Sequence, residues 1–368
     1  MRIALVVPGG VDRSAQYRVI PALLALIGRL AARHELEVFA LRQEPQPGSW
    51  ELAGARIHNI GEHRTRWRAV GAILKAHRRS PFDVVQSIFS GSSGSIAVTA
   101  ARLMRRPCLV HVAGGEPVRC AEIGYGGRLH LTGRAQEWLT LRSATLVTAA
   151  STPLIAMLAD LGCRAERVPL GVDRRCWPDE PPRRRGVHEP LRLVHVASLN
   201  RVKDQPLLLR ALTALERLGV DFQMQVVGED TLGGEVQCLA ARLGLDTRVR
   251  FLGFLPQSEL RAWVRAAHLL ILSSRHEAGP LAMLEAAMVG VPTVGTAVGH
   301  VAEWAPEAAL AVASREPLGL AVAIQRLALD EELRLRLAAA AHRRAVREDA
   351  DYTVRCFLER YARWVRVA

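Results

Sequence analysis

Residues 273–300, SSRHEAGPLAMLEAAMVGVPTVGTAVGH, place two carboxylates where acids are costly. Glu277 precedes Ala278-Gly279-Pro280, and Glu285 is the one residue of Leu281–Val289 that is not apolar. A helix that is apolar nearly all round is buried, and a carboxylate inside it needs partners because an isolated buried charge is strongly disfavoured. The hydroxyls of a bound polyol, ribose or a hexose, would serve; so would a structural arginine. Backbone N–H groups of Ala278, Gly279, Leu281 and Ala282 point out of the helix start, a ready phosphate site. Gly279 allows a ligand close to the main chain. The chemistry suggested is recognition of a polyhydroxylated anion.

The elements that must position these groups are legible on either side. LLILSS (269–274) is a buried strand, Pro280 suits the first helical position, Gly290 suits the helix end, and PTVGTA (292–297) is the next strand. That is a βαβ unit, whose ligands bind at the carboxyl ends of the strands. Strand-like runs also stand at 191–198, 222–228 and 249–254, and in the first half at 2–7, 36–41, 83–88, 108–113 and 145–150. Helical patterns separate them, so parallel sheets covered on both faces are expected. RIALVV leads through Pro8-Gly9-Gly10 into an amphipathic pattern from Tyr17 to Arg33, a strand, glycine turn and helix. Ser151-Thr152-Pro153 opens a helix that Gly162 closes. WPDEPPRRRGVHEP (177–190) reads as a linker between domains. The tail 331–367 is helical in pattern with a break near 348–351, and is expected to pack back on the first domain.

Composition sets the frame. The chain has 368 residues, enough for two domains of roughly 150–180 residues each. With 49% hydrophobic and 23% charged residues it is globular and outside the disordered class. Six scattered cysteines, without a CxxC pair or metal-ligand spacing, suit buried thiols in a reducing compartment, with no metal site. The opening MRIALVVPGG has no signal-peptide layout and no apolar run is long enough to span a bilayer, so a cytoplasmic location is expected. The net charge of +13 is uneven: residues 1–186 hold 27 Lys and Arg against 15 Asp and Glu, the remainder 22 against 21. That asymmetry suits an anionic partner, or is an arginine-rich bias with solvated charges. In RTRWRAVGAILKAHRR (64–79), Trp67, Val70, Ile73 and Leu74 stand among many cations, the pattern of a helix lying on an anionic membrane or of an ordinary helix with a solvated arginine face.

The set Glu277-Ala-Gly-Pro, Glu285-Ala-Ala and Gly290-Val-Pro-Thr-Val-Gly-Thr resembles the signature of retaining nucleotide-sugar glycosyltransferases of the GT-B fold, family 4. VPLGVD (168–173), Leu199–Lys203 with LLLRAL, and LGLDTRVRFLGFLPQSEL (243–260) agree with other family segments in order and spacing. The resemblance is dense over 145–305 and thinner before it. It implies GT-B architecture: two Rossmann-like doubly wound parallel-sheet domains facing a central cleft. The boundaries expected are 1–180 for an acceptor-side domain, 190–345 for the nucleotide-sugar-binding domain and 346–368 for a returning C-terminal helix.

By the same resemblance Glu277 holds hydroxyls of the donor sugar and Glu285 the ribose. Lys203, with Arg201 or Asn200, clamps the pyrophosphate. Phe251, Leu252 and Gly253, up to Phe254, border the base, while Ala278, Gly279, Pro280 and Leu281 line the donor site. Breaking a glycosyl–phosphate bond develops charge on the leaving phosphate, which cations and aligned N–H groups stabilise. Gly9 and Gly10 allow close approach of a phosphate or sugar in the first domain, although no complete GxGxxG is present. Two positions depart from the family pattern: Ser198 stands where an arginine is usual, and Ala113 where many relatives have histidine. His111, on the same strand face, and Glu116, past Gly114-Gly115, are the alternative contacts for acceptor or sugar.

The function expected is sugar transfer from a UDP-, GDP- or ADP-sugar to an acceptor hydroxyl with retention, in cell-surface polysaccharide or glycolipid synthesis, with no cofactor. The partners expected are the nucleotide sugar, a glycan or lipid-linked acceptor and peripheral contact with an anionic membrane, but no nucleic acid. A nucleotide-sugar epimerase of related fold is the alternative; a basic nucleic-acid-binding module is the more distant one, since the first half lacks clustered aromatics for base stacking.

Overall fold

The computed structural model describes residues 1–186, 189–313 and 315–365. Residues 187–188 of the expected linker and 366–368 of the expected terminal helix lie outside the described residues. The chain divides into two compact units, Met1–Asp173 with Ala350–Ala368, and Arg174–Asp349.

Unit 1 runs β1 (Arg2–Val7), α1 (Pro21–Ala31), β2 (Glu35–Ala40), β3 (Gly48–Leu52), β4 (Ala55–Asn59), α2 (Thr65–Arg79), β5 (Val84–Ile88), α3 (Ser92–Met104), β6 (Cys108–Val112), α4 (Leu131–Ser143), β7 (Leu146–Ala149), α5 (Thr152–Asp160) and β8 (Glu166–Arg167). Its eight strands lie in the order β3-β4-β2-β1-β5-β6-β7-β8, all parallel except the β3–β4 pair. The sequence reading missed this hairpin, because GSWEL alternates buried and exposed residues in too short a run to stand out. The helical pattern from Tyr17 is corrected at its start. Val11 and Val19 form an antiparallel bridge, Ile20 N–H donates to Gly10 O at 3.0 Å, and the helix begins only at Pro21.

Unit 2 runs β9 (Leu191–Val196), α6 (Gln205–Arg217), β10 (Phe222–Val227), α7 (Glu235–Arg242), β11 (Val249–Gly253), α8 (Gln257–Ala266), β12 (Leu269–Leu272), α9 (Leu281–Met288), β13 (Thr293–Thr296), α10 (Gly299–Trp304), β14 (Ala309–Val312), α11 (Pro317–Leu329) and α12 (Glu331–Arg347). The six parallel strands lie in the order β11-β10-β9-β12-β13-β14. α13 (Ala350–Tyr361) then belongs to unit 1, where Phe357 and Tyr361 are fully buried beside α1 residues Leu23, Ile27 and Leu30. The Tyr361 hydroxyl hydrogen-bonds Gln86 of β5.

The units part at Asp173/Arg174, earlier than the proline-rich segment expected to link them. That segment lies against unit 2 instead. Trp177 is fully buried, Glu180 N–H donates to Met288 O at 2.9 Å, and Arg334 of α12 bonds the Arg183 carbonyl at 2.5 Å. Proline and arginine content read as a linker between domains is here a strap bonded to its own domain.

Candidate functional site

A doubly wound sheet has one place where neighbouring strands send their following loops in opposite directions, leaving a crevice at the carboxyl ends. In unit 2 that place lies between β9 and β12, since β9 is followed by α6 and β10 on one side and β12 by α9 and β13 on the other. The loop after β9 carries Asn200, Arg201 and Lys203; the loop after β12 carries Ser273 to Glu277. Topology therefore brings residues far apart in sequence to one crevice.

The two loops are laced together. Ser273 Oγ donates to Lys203 O at 2.8 Å, Arg275 N–H to Val202 O at 2.8 Å, and Arg275 Nε pairs with Asp204 Oδ2 at 2.8 Å. Lys203 N–H is received by Asn200 Oδ1 at 3.1 Å, and Lys203 Nζ reaches Glu277 Oε1 at 2.5 Å. Ser274 Oγ donates to the same carboxylate oxygen at 2.6 Å, and Thr296 Oγ1 holds the Ser274 carbonyl at 2.5 Å. The Lys203 side chain is one-quarter exposed and that of Glu277 about one-tenth, so the pair faces outward from a mostly dry base. Gly299 comes close behind Glu277: its φ is +51°, and a Cβ there would stand 2.8 Å from the Glu277 carbonyl oxygen. Glycine at this position lets α10 start against the Glu277 loop.

Below the loops His195 is fully buried, with Nδ1 2.8 Å from Ile271 O and Nε2 3.3 Å from Gln205 Nε2, which also donates to Ser198 O at 3.1 Å. Burial, opposed by the Ile271 carbonyl and deepened by Lys203, lowers its pKa to about 4, so it is a neutral support.

Glu285 lies in α9 with 6% of its surface exposed. Its partner is Gln257 at the start of α8, whose Nε2 donates to Oε1 at 2.9 Å. Burial pushes the Glu285 carboxyl up to about 7, with the Gln257 hydrogen bond opposing it. Of the two partners the sequence left open, hydroxyls or a structural arginine, neither meets Glu285 among the described residues, which provide one neutral amide. Pro280 caps α9 rather than occupying its first turn, and the helix ends as expected, with Val291 N–H donating to Ala286 O at 2.9 Å and Gly290 N–H to Ala287 O at 3.1 Å. Ala278 is buried, Gly279 and Leu281 half-buried, at the helix mouth. Phe251 is half-buried and packs on the unit 2 core, Leu252 is half-buried, and Gly253 and Phe254 are exposed at the carboxyl end of β11. Arg201 is exposed on its loop. The sequence reading did not single out Gln257, Ser273, Ser274, Arg275 or Gly299 for the site. Only the strand order puts Gln257 beside α9, whereas the two serines could have been flagged by their place directly after a buried strand.

In unit 1 the corresponding crevice lies between β1 and β5. Gly9 and Gly10 follow β1 there, yet a Cβ on Gly10 would meet the Ile20 side chain at 2.6 Å, so this glycine serves the fold of its own loop. His111, offered by the sequence as a contact, is fully buried: Nδ1 is 2.9 Å from Thr148 Oγ1 and the ring meets Phe357 edge-on. Burial, with Arg360 adding, lowers its pKa to about 3, and α13 covers the strand face it occupies. Glu116 is differently placed. It is half-buried over the ends of β5 and β6, near Gly91, with an Oε2 that has no hydrogen-bond partner among the described residues. Burial, with the Glu137 carboxylate adding, raises it to about 7. Glu137 itself is buried in α4 and accepts from Ser90 Oγ at 2.7 Å.

Among the described residues no group of three or more His, Cys, Asp and Glu could hold a metal ion, and no helix is long and apolar enough to cross a membrane.

Comparison with known proteins agrees with this fold. Residues 180–344 match the family described as Glycosyl transferases group 1, and residues 19–171 match the Glycosyl transferase 4-like domain. The D-inositol 3-phosphate glycosyltransferase of Frankia alni is 31% identical over 313 residues, covering 77% of this chain and 75% of that protein. The 2-deoxystreptamine glucosyltransferase of Streptomyces kanamyceticus is 26% identical over 256 residues, 63% and 64% of the two chains. In fold, the chain is similar to the sucrose-phosphate synthase of Thermosynechococcus elongatus, with TM-score 0.80, 17% identity and 99% of both chains covered. It is similar also to HepE of Anabaena in complex with UDP-glucose, with TM-score 0.74, 19% identity, and 98% and 100% covered.

Proposed function

The chain belongs to the group 1 glycosyl transferases, GT-B enzymes of the family 4 type, and from that premise we propose that it moves a sugar from a nucleotide sugar to an acceptor hydroxyl with retention of anomeric configuration. The observation that carries the reading is the pairing of Lys203 with Glu277 at the β9/β12 crevice, with buried Glu285 in the helix that follows. A lysine beside a helix N-terminus suits a diphosphate, and carboxylates on either side suit hydroxyls.

On this reading unit 2 takes the donor. Glu277 receives sugar hydroxyls, Glu285 the ribose, and Lys203 with Arg201 and Asn200 the pyrophosphate, while Phe251 to Gly253 border the base and Ala278, Gly279, Leu281 and Ala282 present main-chain N–H groups. The bond between the anomeric carbon and the phosphate oxygen breaks, and negative charge grows on the leaving diphosphate. Lys203 and the α9 N–H groups stabilise that charge. The departing phosphate oxygen takes the proton of the acceptor hydroxyl as the new glycosidic bond forms on the same face, so no protein base is required. Glu116, whose Oε2 has no hydrogen-bond partner among the described residues, is the unit 1 group suited to hold an acceptor hydroxyl. HepE in complex with UDP-glucose favours a UDP-sugar as the first donor to try. The wider role proposed is polysaccharide or glycolipid synthesis in the cytoplasm, at the inner face of the membrane. The relatives named are glycosyltransferases and synthases, which gives an epimerase no support.

The test is thermal stabilisation across UDP-, GDP- and ADP-sugars, followed by transfer assays with the stabilising donor and NMR of the product's anomeric proton. Stabilisation by one nucleotide class and a product of unchanged anomeric configuration are expected; an inverted product, or an altered free sugar without acceptor, refutes the reading.

A further inference from the structure

The unit 1 sheet has unlike faces. One packs against α1 and α13, the other against α2 and α3, and α3 is in contact with both α2 and α4. The second layer is chemically one-sided. Its three helices hold eight cations, Arg66, Arg68, Lys75, Arg78, Arg79, Arg102, Arg134 and Arg142, every one exposed. Arg105 and Arg106, also exposed, follow α3 directly. The single acid in these helices, Glu137, is turned inward onto Ser90. By contrast, the exposed side of α13 mixes Asp351 and Glu359 with Arg355.

Large apolar side chains stand outward among these cations: Trp67 is 76% exposed, Leu103 62%, Leu131 78%, Trp138 52% and Leu139 56%. On α4, positions 131, 135, 138, 139 and 142 fall on one side of the helix at 3.6-residue spacing, and Arg142 lies over the Trp138 ring. A charge layer for nucleic acid would gain nothing from exposed leucines. A bilayer interface takes them into the acyl boundary, seats tryptophan at the headgroups and attracts the arginines through anionic phosphates.

We propose that the α2–α3–α4 face of unit 1 docks on an anionic phospholipid surface, with Trp67, Leu103, Leu131, Trp138 and Leu139 inserted and the surrounding arginines bound to lipid phosphates, which rests on the membrane contact proposed above and assigns it a surface and a lipid charge. α4 supplies most of the inserted area, so the contact extends well beyond the basic helix 65–79. Each cation near such a surface contributes about a fivefold factor in partition, so removing two costs about 25-fold.

The experiment is co-sedimentation of the full chain with phosphatidylglycerol/phosphatidylcholine vesicles and with phosphatidylcholine alone, without donor or acceptor, so its failure leaves sugar transfer untouched. Binding to the anionic vesicles only, weakened by salt and accompanied by a blue shift of tryptophan emission, is expected. Arg102→Ala with Arg134→Ala weakens partition about 25-fold. Trp138→Ser with Leu139→Ser weakens partition and removes about half of the blue shift, Trp67 reporting the remainder, while circular dichroism stays unchanged. Equal binding to neutral vesicles, partition untouched by either pair, or displacement from vesicles by RNA through the same arginines overturns the proposal.

Discussion

Replacing Glu285 with glutamine separates stability from binding. A carboxyl held at about 7 in the folded protein, against an ordinary 4.5, takes up a proton on folding at pH values between the two. Stability contributed by this site is therefore greatest below pH 4.5, falls as pH rises through that window and is lost above about 7. At roughly 1.4 kcal/mol per unit the full penalty of ionising Glu285 in place is about 3 kcal/mol. Glutamine removes the penalty and keeps an oxygen to receive Gln257 Nε2. At pH 8 the ligand-free Glu285→Gln protein should melt about 5–10 °C above the parent, with the gap closing toward pH 5. Its affinity for the preferred nucleoside diphosphate should fall about 10- to 100-fold, because an amide receives two hydroxyls less well than a carboxylate. The assay is paired thermal melts from pH 5 to 8, with calorimetric titration of the nucleotide. A melting gap that is flat with pH, or negative at pH 8, refutes the assignment of burial as the dominant influence on Glu285.

Three further outcomes follow from the site geometry. Lys203→Ala removes the cation that pairs with Glu277 and leaves that carboxylate with Ser274, so kcat/KM should fall about 100- to 1000-fold with the melting temperature within a few degrees of the parent. Gln257→Ala takes away the group opposing the rise of the Glu285 carboxyl, so the pH at which nucleotide affinity is half-maximal should move upward; titrations at several pH values check this. Gly299→Ala places a Cβ against the Glu277 carbonyl from a left-handed backbone, and steady-state kinetics should show about 10- to 100-fold lower kcat/KM alongside a small loss in thermal melts.

Much of this was legible in the sequence, and for physical reasons. Buried parallel strands are short apolar runs, which is why β1, β9 and β12 stand out, and the charge of Glu285 is conspicuous because its neighbours have none. The β3–β4 hairpin and β14 (ALAV) were missed because half-exposed four- or five-residue strands have no lasting periodicity. The segment 177–186 was misjudged because proline and arginine composition does not reveal what they pack against. His111 shows a different limit: side-chain alternation correctly put it on one strand face, but α13, far along the chain, decides that this face is core. Gln257 was invisible for a related reason, since its meeting with Glu285 depends on where β11 and β12 fall in the sheet.

The position of α13 has a consequence for biosynthesis. Unit 1 begins to emerge from the ribosome before unit 2, yet Phe357 and Tyr361 of its core are made after the whole of unit 2. Until they arrive, the sheet face against α1 and the His111 edge remain open, and the nascent first unit carries an apolar surface for as long as residues 174–349 take to translate, about 10–35 seconds at 5–20 residues per second. Unit 2, continuous in sequence, has no such wait. The order of completion is thus the reverse of the order of synthesis, and chaperone demand should fall on the N-terminal half.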